Sequence, residues 1–276
     1  MNPLDVARAL RRVSERIDRC HPGEDETRVS IAGAWVTVNP ASDSPIVSHN
    51  RNRLQYFGCT QRVTSHDLDA ALAPFEHARI PCCSVWLSPC PQANSIQSWL
   101  AERGFAPFTG IPPWPAPDYH TLVYAPPGGL SRDVGATLVP ETSLVVRSPS
   151  RADVEHHAEA LAEIYAAFGG DDVFSPSLGC EGFNHFLAFD GEHPVAAGIL
   201  IVQDGIGYLG YAATAEAYRR RGGQSALIAA RLRRAAELGC DSAVSETLSL
   251  LRSSLGNLRR HGFEVLYDKQ IYLRRT

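Results

Sequence analysis

The chain has 276 residues, long for one compact domain and comfortable for two. Its net charge of −4 gives no general bias toward nucleic acid, and its 44% hydrophobic content suffices for ordinary cores. The seven cysteines are odd in number and include no Cys-x-x-Cys pair, which points to reduced thiols in a cytoplasm rather than a disulfide framework.

Residues 4–17 read as an amphipathic helix, because Val6, Leu10, Val13 and Ile17 recur at helical spacing. Residues 29–38 read as one strand containing Trp35, and Pro40, Ser42, Asp43 and Pro45 break the pattern after it. A short strand follows at 54–57. Ser65 has the character of an N-cap, and Leu68, Leu72 and Phe75 form the stripe of the next helix. Residues 82–87 read as a strand and 96–103 as a helix stopped by Gly104. The stretch 110–117 is proline-rich, and 122–124 reads as a last strand. A Pro/Gly-rich linker over 127–140 then divides the chain into domains at 1–126 and 141–276.

The second half opens with a strand at 144–147 and a helix at 153–168, closed by Gly169-Gly170. Asp190-Gly191 and Asp204-Gly205 are hairpin signals, so 185–189, 194–202 and 206–214 form an antiparallel meander. A basic turn leads into a helix at 225–238. A strand at 242–247, a short helix at 255–261 and a hairpin of 263–267 with 270–273 complete the chain. The strands before and after the long helix are expected to be parallel neighbours.

Residues 78–105 and 236–263 align without a gap at an offset of 158. Ala78, Cys82, Ser84, Ser95, Leu100, Gly104 and Phe105 match Ala236, Cys240, Ser242, Ser253, Leu258, Gly262 and Phe263. Two copies of one fold are the simplest reading. The copies differ at the basic turn: opposite Arg219-Arg220-Arg221-Gly222 stand Gln61-Arg62-Val63-Thr64, and opposite Asn257 stands Trp99.

The basic turn Tyr218-Arg219-Arg220-Arg221-Gly222-Gly223-Gln224-Ser225 joins a strand to a helix. The first amides of a helix have no partner within it and carry partial positive charge. Glycine lets the backbone approach an anion, and arginines add forked donors. Arg219-x-x-Gly222-x-Gln224 resembles the acyl-CoA signature Gln/Arg-x-x-Gly-x-Gly/Ala of the GCN5-related N-acetyltransferases, with Gln224 in place of the last small residue. Its side chain either points away from the diphosphate or helps to hold it.

The resemblance implies an α/β fold: tandem acetyltransferase-like domains, each a mixed, mainly antiparallel sheet flanked by helices, with only the second competent. It implies acetyl-CoA as co-substrate, held at the diphosphate by Arg219, Arg220, Arg221, Gly222, Gly223, Gln224 and Ser225. Backbone groups of Ala212, Ala213 and Thr214 then pair with pantetheine as an added strand does. Ser253 to Phe263 is similar to the family's second conserved segment, where an Asn holds the pantetheine arm or the adenine end, so Asn257 takes that role. The partner is a small-molecule primary amine.

Glu246, at a strand end, is the first candidate for taking the amine's proton, and Tyr211 the second. The ordinary reading of Glu246 is a solvated charge or a salt bridge to one of the many arginines. Many family members place a tyrosine acid where this chain has Leu258; Tyr267 or water could serve instead. Two other readings stand beside the enzyme. One is a catalytically silent acyl-CoA-binding or regulatory protein. The other is a ligand-binding module that has lost CoA.

Cys82, Cys83 and Cys90, taken with His66 or His77, match no zinc spacing and read as inert buried thiols, so no metal is expected. The longest apolar run, 195–202, is too short for a bilayer, and the N-terminal residues lack the apolar core of a secretory signal. A cytoplasmic protein with neither membrane nor nucleic-acid partners is the expectation.

Overall fold

The computed structural model describes residues 1–20, 26–41, 51–111, 114–115, 118–131, 142–166 and 174–275. The chain divides into two compact units. The first comprises Met1–His120, Leu248–Leu250 and Tyr267–Thr276; the second comprises Thr121–Thr247 and Leu251–Leu266.

The first unit begins with helix α1 (Pro3–Cys20), whose Val6, Leu10 and Val13 are buried. Strands β1 (Thr27–Ile31) and β2 (Ala34–Val38) follow as an antiparallel hairpin. The single strand expected over 29–38 is therefore corrected to two. Ala32 and Gly33 both take positive φ, 48° and 76°, which makes the two-residue turn that matches strand twist. Then come β3 (Arg53–Gln55), α2 (Ser65–His77), β4 (Cys82–Leu87), α3 (Ala93–Glu102), β5 (Ala106–Pro107), β6 (Gly110–Ile111) and β7 (Trp114–Pro115). Strand β2 pairs antiparallel with β3, and β3 pairs parallel with β4. On the far side of β4 lies the last strand of the chain, β14 (Glu264–Arg275), with Gln270–Arg275 antiparallel to Leu87–Cys82. The expected terminal hairpin is thus one continuous strand. The core of this unit joins Val36, Leu54, Leu72, Phe75, Val85 and Leu100.

The second unit starts within β8 (Tyr119–Tyr124), and β9 (Val145–Arg147) follows. The helix expected over 153–168 is two, α4 (Arg151–His156) and α5 (Ala158–Tyr165). His157 (φ −105°, ψ 23°) leaves helical geometry and breaks them. Gly169-Gly170 and residues 132–140 of the expected linker lie outside the described residues. The meander is present as β10 (Phe183–Asp190), β11 (His193–Gln203) and β12 (Ile206–Thr214). After a 3-10 turn (Glu216–Tyr218) come α6 (Gly223–Glu237), β13 (Ser242–Leu248) and α7 (Arg252–Arg260). Strands β12 and β13 are parallel, as expected for a crossover through α6. The sheet runs β13-β12-β11-β10-β9, mixed and mainly antiparallel. Leu227, Ile228, Leu232 and Ala235 of α6 are buried with Leu200, Leu209, Ala243, Leu258 and Phe263. Burying side chains of that size supplies roughly 1.5–3 kcal/mol each before chain entropy is set against it.

Candidate functional site

The site grows from the way β12 ends. Its parallel pairing with β13 covers only Ile206–Tyr208 against Ser242–Val244. Both strands continue past that point, β12 to Thr214 and β13 to Leu248, without pairing to each other. The two strands therefore part, and the edge of β12 that carries Ala212, Ala213 and Thr214 has no β13 neighbour.

A bulge marks the same stretch. Against β11 the register runs Ile199↔Gly210 and then Ala197↔Ala213, so Tyr211 and Ala212 stand opposite Gly198 alone. Tyr211 takes φ 50°, a left-handed conformation that a tyrosine rarely adopts. Its carbonyl accepts a hydrogen bond of 2.8 Å from the Tyr165 hydroxyl on α5. The Gly210 carbonyl accepts from the Arg231 guanidinium at 3.3 Å. Arg231 is 2% exposed, and burial pulls its pKa down to about 10, still far above neutrality. Sequence reading missed both residues. A register shift leaves no periodicity signal, and an arginine on the buried face of α6 reads there only as a misplaced polar residue.

Beyond Thr214 the chain turns through Arg219 (φ −64°) and Arg220 (φ 64°) to Gly222 (φ 84°), the N-cap of α6. A left-handed cap requires glycine with little penalty and leaves the first amides of the helix uncovered by any cap side chain. Arg219 and Arg221 have side chains 50% and 44% exposed. Arg219 lies 3.7 Å from Glu216, and Arg221 lies 2.9 Å from Asp190 with its guanidinium over the Tyr218 ring. Ion pairs this exposed contribute little and yield easily to a better anion. Thr142 donates to the Arg221 carbonyl at 2.7 Å. The Gln224 carboxamide donates to the Thr214 hydroxyl at 2.9 Å, so this side chain binds the end of β12. A Cβ at Gly223 would come 3.4 Å from Ala196 and Leu144, so this glycine also serves close packing of α6 on the sheet.

Glu246 sits on the part of β13 beyond the pairing, half-buried, and accepts 3.1 Å from the Thr121 hydroxyl of β8. Thr121, fully buried, carries no sequence signal of its own; it immediately precedes the strand expected at 122–124, which the sequence assigns to the first half of the chain. Asn257 is half-buried on α7; its side-chain oxygen accepts from Arg260, and its carbonyl is 2.8 Å from His261 Nδ1. Leu258, one residue on, is 5% exposed and packs in the core with Phe263. Burial pushes the thiols of Cys59, Cys83 and Cys240 up to about 12, 11 and 11. Among the described residues no cluster of His, Cys, Asp or Glu is placed to hold a metal, and no helix is long and apolar enough to cross a membrane.

Residues 154–263 match a family model, that of the Acetyltransferase (GNAT) family. A comparison with curated proteins returned no match. Among solved structures, a GCN5-related N-acetyltransferase from Kribbella flavida is 16% identical, covering 99% of this chain and 95% of its own, with a TM-score of 0.58. A tandem GNAT protein from the clavulanic acid biosynthesis pathway is 11% identical, covering 88% and 78%, with a TM-score of 0.57. A GCN5-related N-acetyltransferase from Sphaerobacter thermophilus is 14% identical, covering 100% and 94%, with a TM-score of 0.53. Such low identities speak for the fold, and the family match falls on the stretch that holds β10 to α7. Residues 154–263 thus match the Acetyltransferase (GNAT) family model, and along its length the chain has the fold of solved GCN5-related N-acetyltransferases, a tandem GNAT protein among them.

Proposed function

We propose that the second unit binds acetyl-CoA and transfers its acetyl group to the primary amine of a small molecule by direct attack. The observation that carries this reading is the left-handed Gly222 at the head of α6, flanked by Arg219, Arg220 and Arg221, following a strand that has parted from its parallel neighbour. The residues fit the co-substrate. The amides of Gly223, Gln224 and Ser225 have no acceptor within the helix and suit a diphosphate. The open edge at Ala212, Ala213 and Thr214 suits the amide-bearing pantetheine arm as an added strand. Asn257 holds the pantetheine arm or the adenine end.

In the reaction the amine nitrogen bonds to the thioester carbon and the carbon–sulfur bond breaks. Glu246, oriented by Thr121, accepts the amine's proton directly or through water. The CoA sulfur leaves as a thiolate, which an ordinary thiol pKa near 8.5 makes a fair leaving group, and takes its proton from water. Tyr211 is the second candidate for the proton acceptor. The raised pKa values of Cys59, Cys83 and Cys240 leave little thiolate, which favours direct transfer over an acyl-enzyme.

A screen of amines read by CoA release tests the proposal, and turnover of at least one amine is the expected result. A second reading, an acyl-CoA-binding protein without turnover, draws support from the burial of Leu258 where an acid is often found. Tight CoA binding with no CoA release across amino acids, amino sugars, polyamines and amine antibiotics decides for it.

A further inference from the structure

Two consecutive carbonyls of β12, those of Gly210 and Tyr211, accept hydrogen bonds from side chains where the register shifts. Arg231 Nη1 on α6 donates to Gly210 at 3.3 Å and to its ladder partner on β11, Ile199, at 3.4 Å. Its Nε donates to the Leu227 carbonyl at 3.0 Å, which fixes the side chain along its own helix. Tyr165 on α5, 3% exposed, donates to Tyr211 at 2.8 Å. Space is kept for the arginine: a Cβ on Gly198 would meet its guanidinium at 3.2 Å.

A trans peptide points its N–H opposite to its C=O. With the Tyr211 carbonyl held toward Tyr165, the Ala212 N–H is directed the other way. The Tyr211 N–H is likewise directed opposite to the Gly210 carbonyl that Arg231 holds. Tyr211 pays a steric cost for its left-handed φ of 50°, and such strain persists only where surrounding groups over-determine it. Tyr165 and Arg231 are those groups.

We propose that Tyr165 and Arg231 are positioning residues of the acyl-CoA site: from two helices they lock the β12 bulge and so aim the Ala212 edge at the acyl-pantetheine arm. This rests on the acyl-CoA reading above. Neither side chain touches the ligand; both act through the backbone of Gly210 to Ala212. Loss of either lets Tyr211 relax toward extended geometry and turns the Ala212 amide, while the phosphate cradle at Gly222 stays as it is.

The test uses the full chain and two ligands, CoA and adenosine 3′,5′-bisphosphate, which has the phosphate-rich end of CoA without the pantetheine arm. Calorimetry on Tyr165→Phe, which deletes one hydroxyl, is expected to show CoA weakened about tenfold and the bisphosphate changed less than about twofold. Arg231→Lys keeps the charge but loses the planar group whose Nε bonds Leu227 while its Nη1 bonds the two strand carbonyls, and is expected to weaken CoA at least as much. A general loss of structure moves both ligands together. Equal CoA affinity in Tyr165→Phe and wild type, or an equal loss for both ligands, overturns the positioning role alone. A wild-type chain that binds neither ligand overturns the acyl-CoA reading itself.

Discussion

The two units start corresponding helices in opposite ways. Thr64 and Gly222, matched by the offset of 158, are the N-caps of α2 and α6. In the first unit the Thr64 hydroxyl accepts from the Asp67 amide, and the Asp67 carboxylate accepts from the Thr64 amide and hydroxyl, both at 2.7 Å. The helix start is thus satisfied by its own chain and carries a carboxylate. In the second unit the cap is a side-chain-free Gly222 preceded by three arginines. The strands that lead in differ as well. All of β3 is paired to β4, and Tyr56 turns away at once with φ 60°, whereas β12 runs on unpaired from β13 for the length of its bulge. Around Tyr56 the first unit is filled: the chain's only lysine, Lys269, is 5% exposed with its ammonium 5.0–5.8 Å from the rings of Tyr56, Trp86 and Tyr119. On the acyl-CoA reading, one backbone plan suits an anion where its helix start is left open and does not where the helix caps itself.

The largest expected effect breaks this contrast at its centre. Gly222→Glu should put a carboxylate where the second unit lacks one and abolish detectable CoA binding in calorimetry, while circular dichroism keeps the native signal. Gly222→Ala separates strain from charge, since it bears only the left-handed penalty of roughly 1–2 kcal/mol and should retain measurable affinity. Unchanged CoA affinity in the glutamate variant places the cofactor elsewhere.

Next in size is stoichiometry. Each lost charge-assisted phosphate contact weakens binding by roughly 1.5–3 kcal/mol, so a first unit with Asp67 at its helix start and Gln61 opposite Arg219 should stay empty at working CoA concentrations. Titration should return one CoA per chain. A value of two shows that the capped helix binds CoA after all.

Glu246→Gln removes the proposed proton acceptor and should lower kcat about a hundredfold, a typical size for a general base, with CoA affinity retained. If kcat holds and only the amine KM rises, Glu246 binds the acceptor rather than activating it.

Much of the contrast was legible before the structure. The repeat at 158 holds physically. Ser84 and Ser242 open the parallel-paired segments of β4 and β13, Gly104 and Gly262 take φ of 76° and 81°, and Phe105 and Phe263 donate back to Leu100 and Leu258 at 3.0 and 3.1 Å. These features follow from local chemistry, a glycine after a helix or an apolar alternation along a strand. What stayed hidden was set by partners distant in sequence. The bulge depends on Tyr165 and Arg231, which lie 46 and 21 residues from the carbonyls they bind. The Thr121 hydroxyl reaches Glu246 from 125 residues away. The merging of 264–275 into one strand goes with its pairing to β4, a strand distant in sequence, which no composition of β14 reveals. The N-cap moved from Ser65 to Thr64 because Thr64, not Ser65, has an acidic residue three positions on.

The smallest effect concerns the cap itself. Thr64→Ala should cost about 1 kcal/mol, a typical loss for an N-cap, lowering Tm by a few degrees at neutral pH without touching CoA binding. The pH dependence follows from Asp67, whose carboxyl is held below its ordinary value by hydrogen bonds from Thr64. A depressed carboxylate contributes stability that is present above its unfolded pKa and lost as pH falls through its folded one. The difference in Tm between wild type and Thr64→Ala should therefore be constant at neutral pH and should narrow only below the ordinary aspartate pKa of about 3.9, as the wild-type carboxylate, held below that value, takes up its proton. A difference that widens on acidification shows that the threonine acts by packing and that the charge at this helix start is incidental. The expected emptiness of the first unit would then rest on Tyr56, Lys269 and Gln61 opposite Arg219 rather than on the cap.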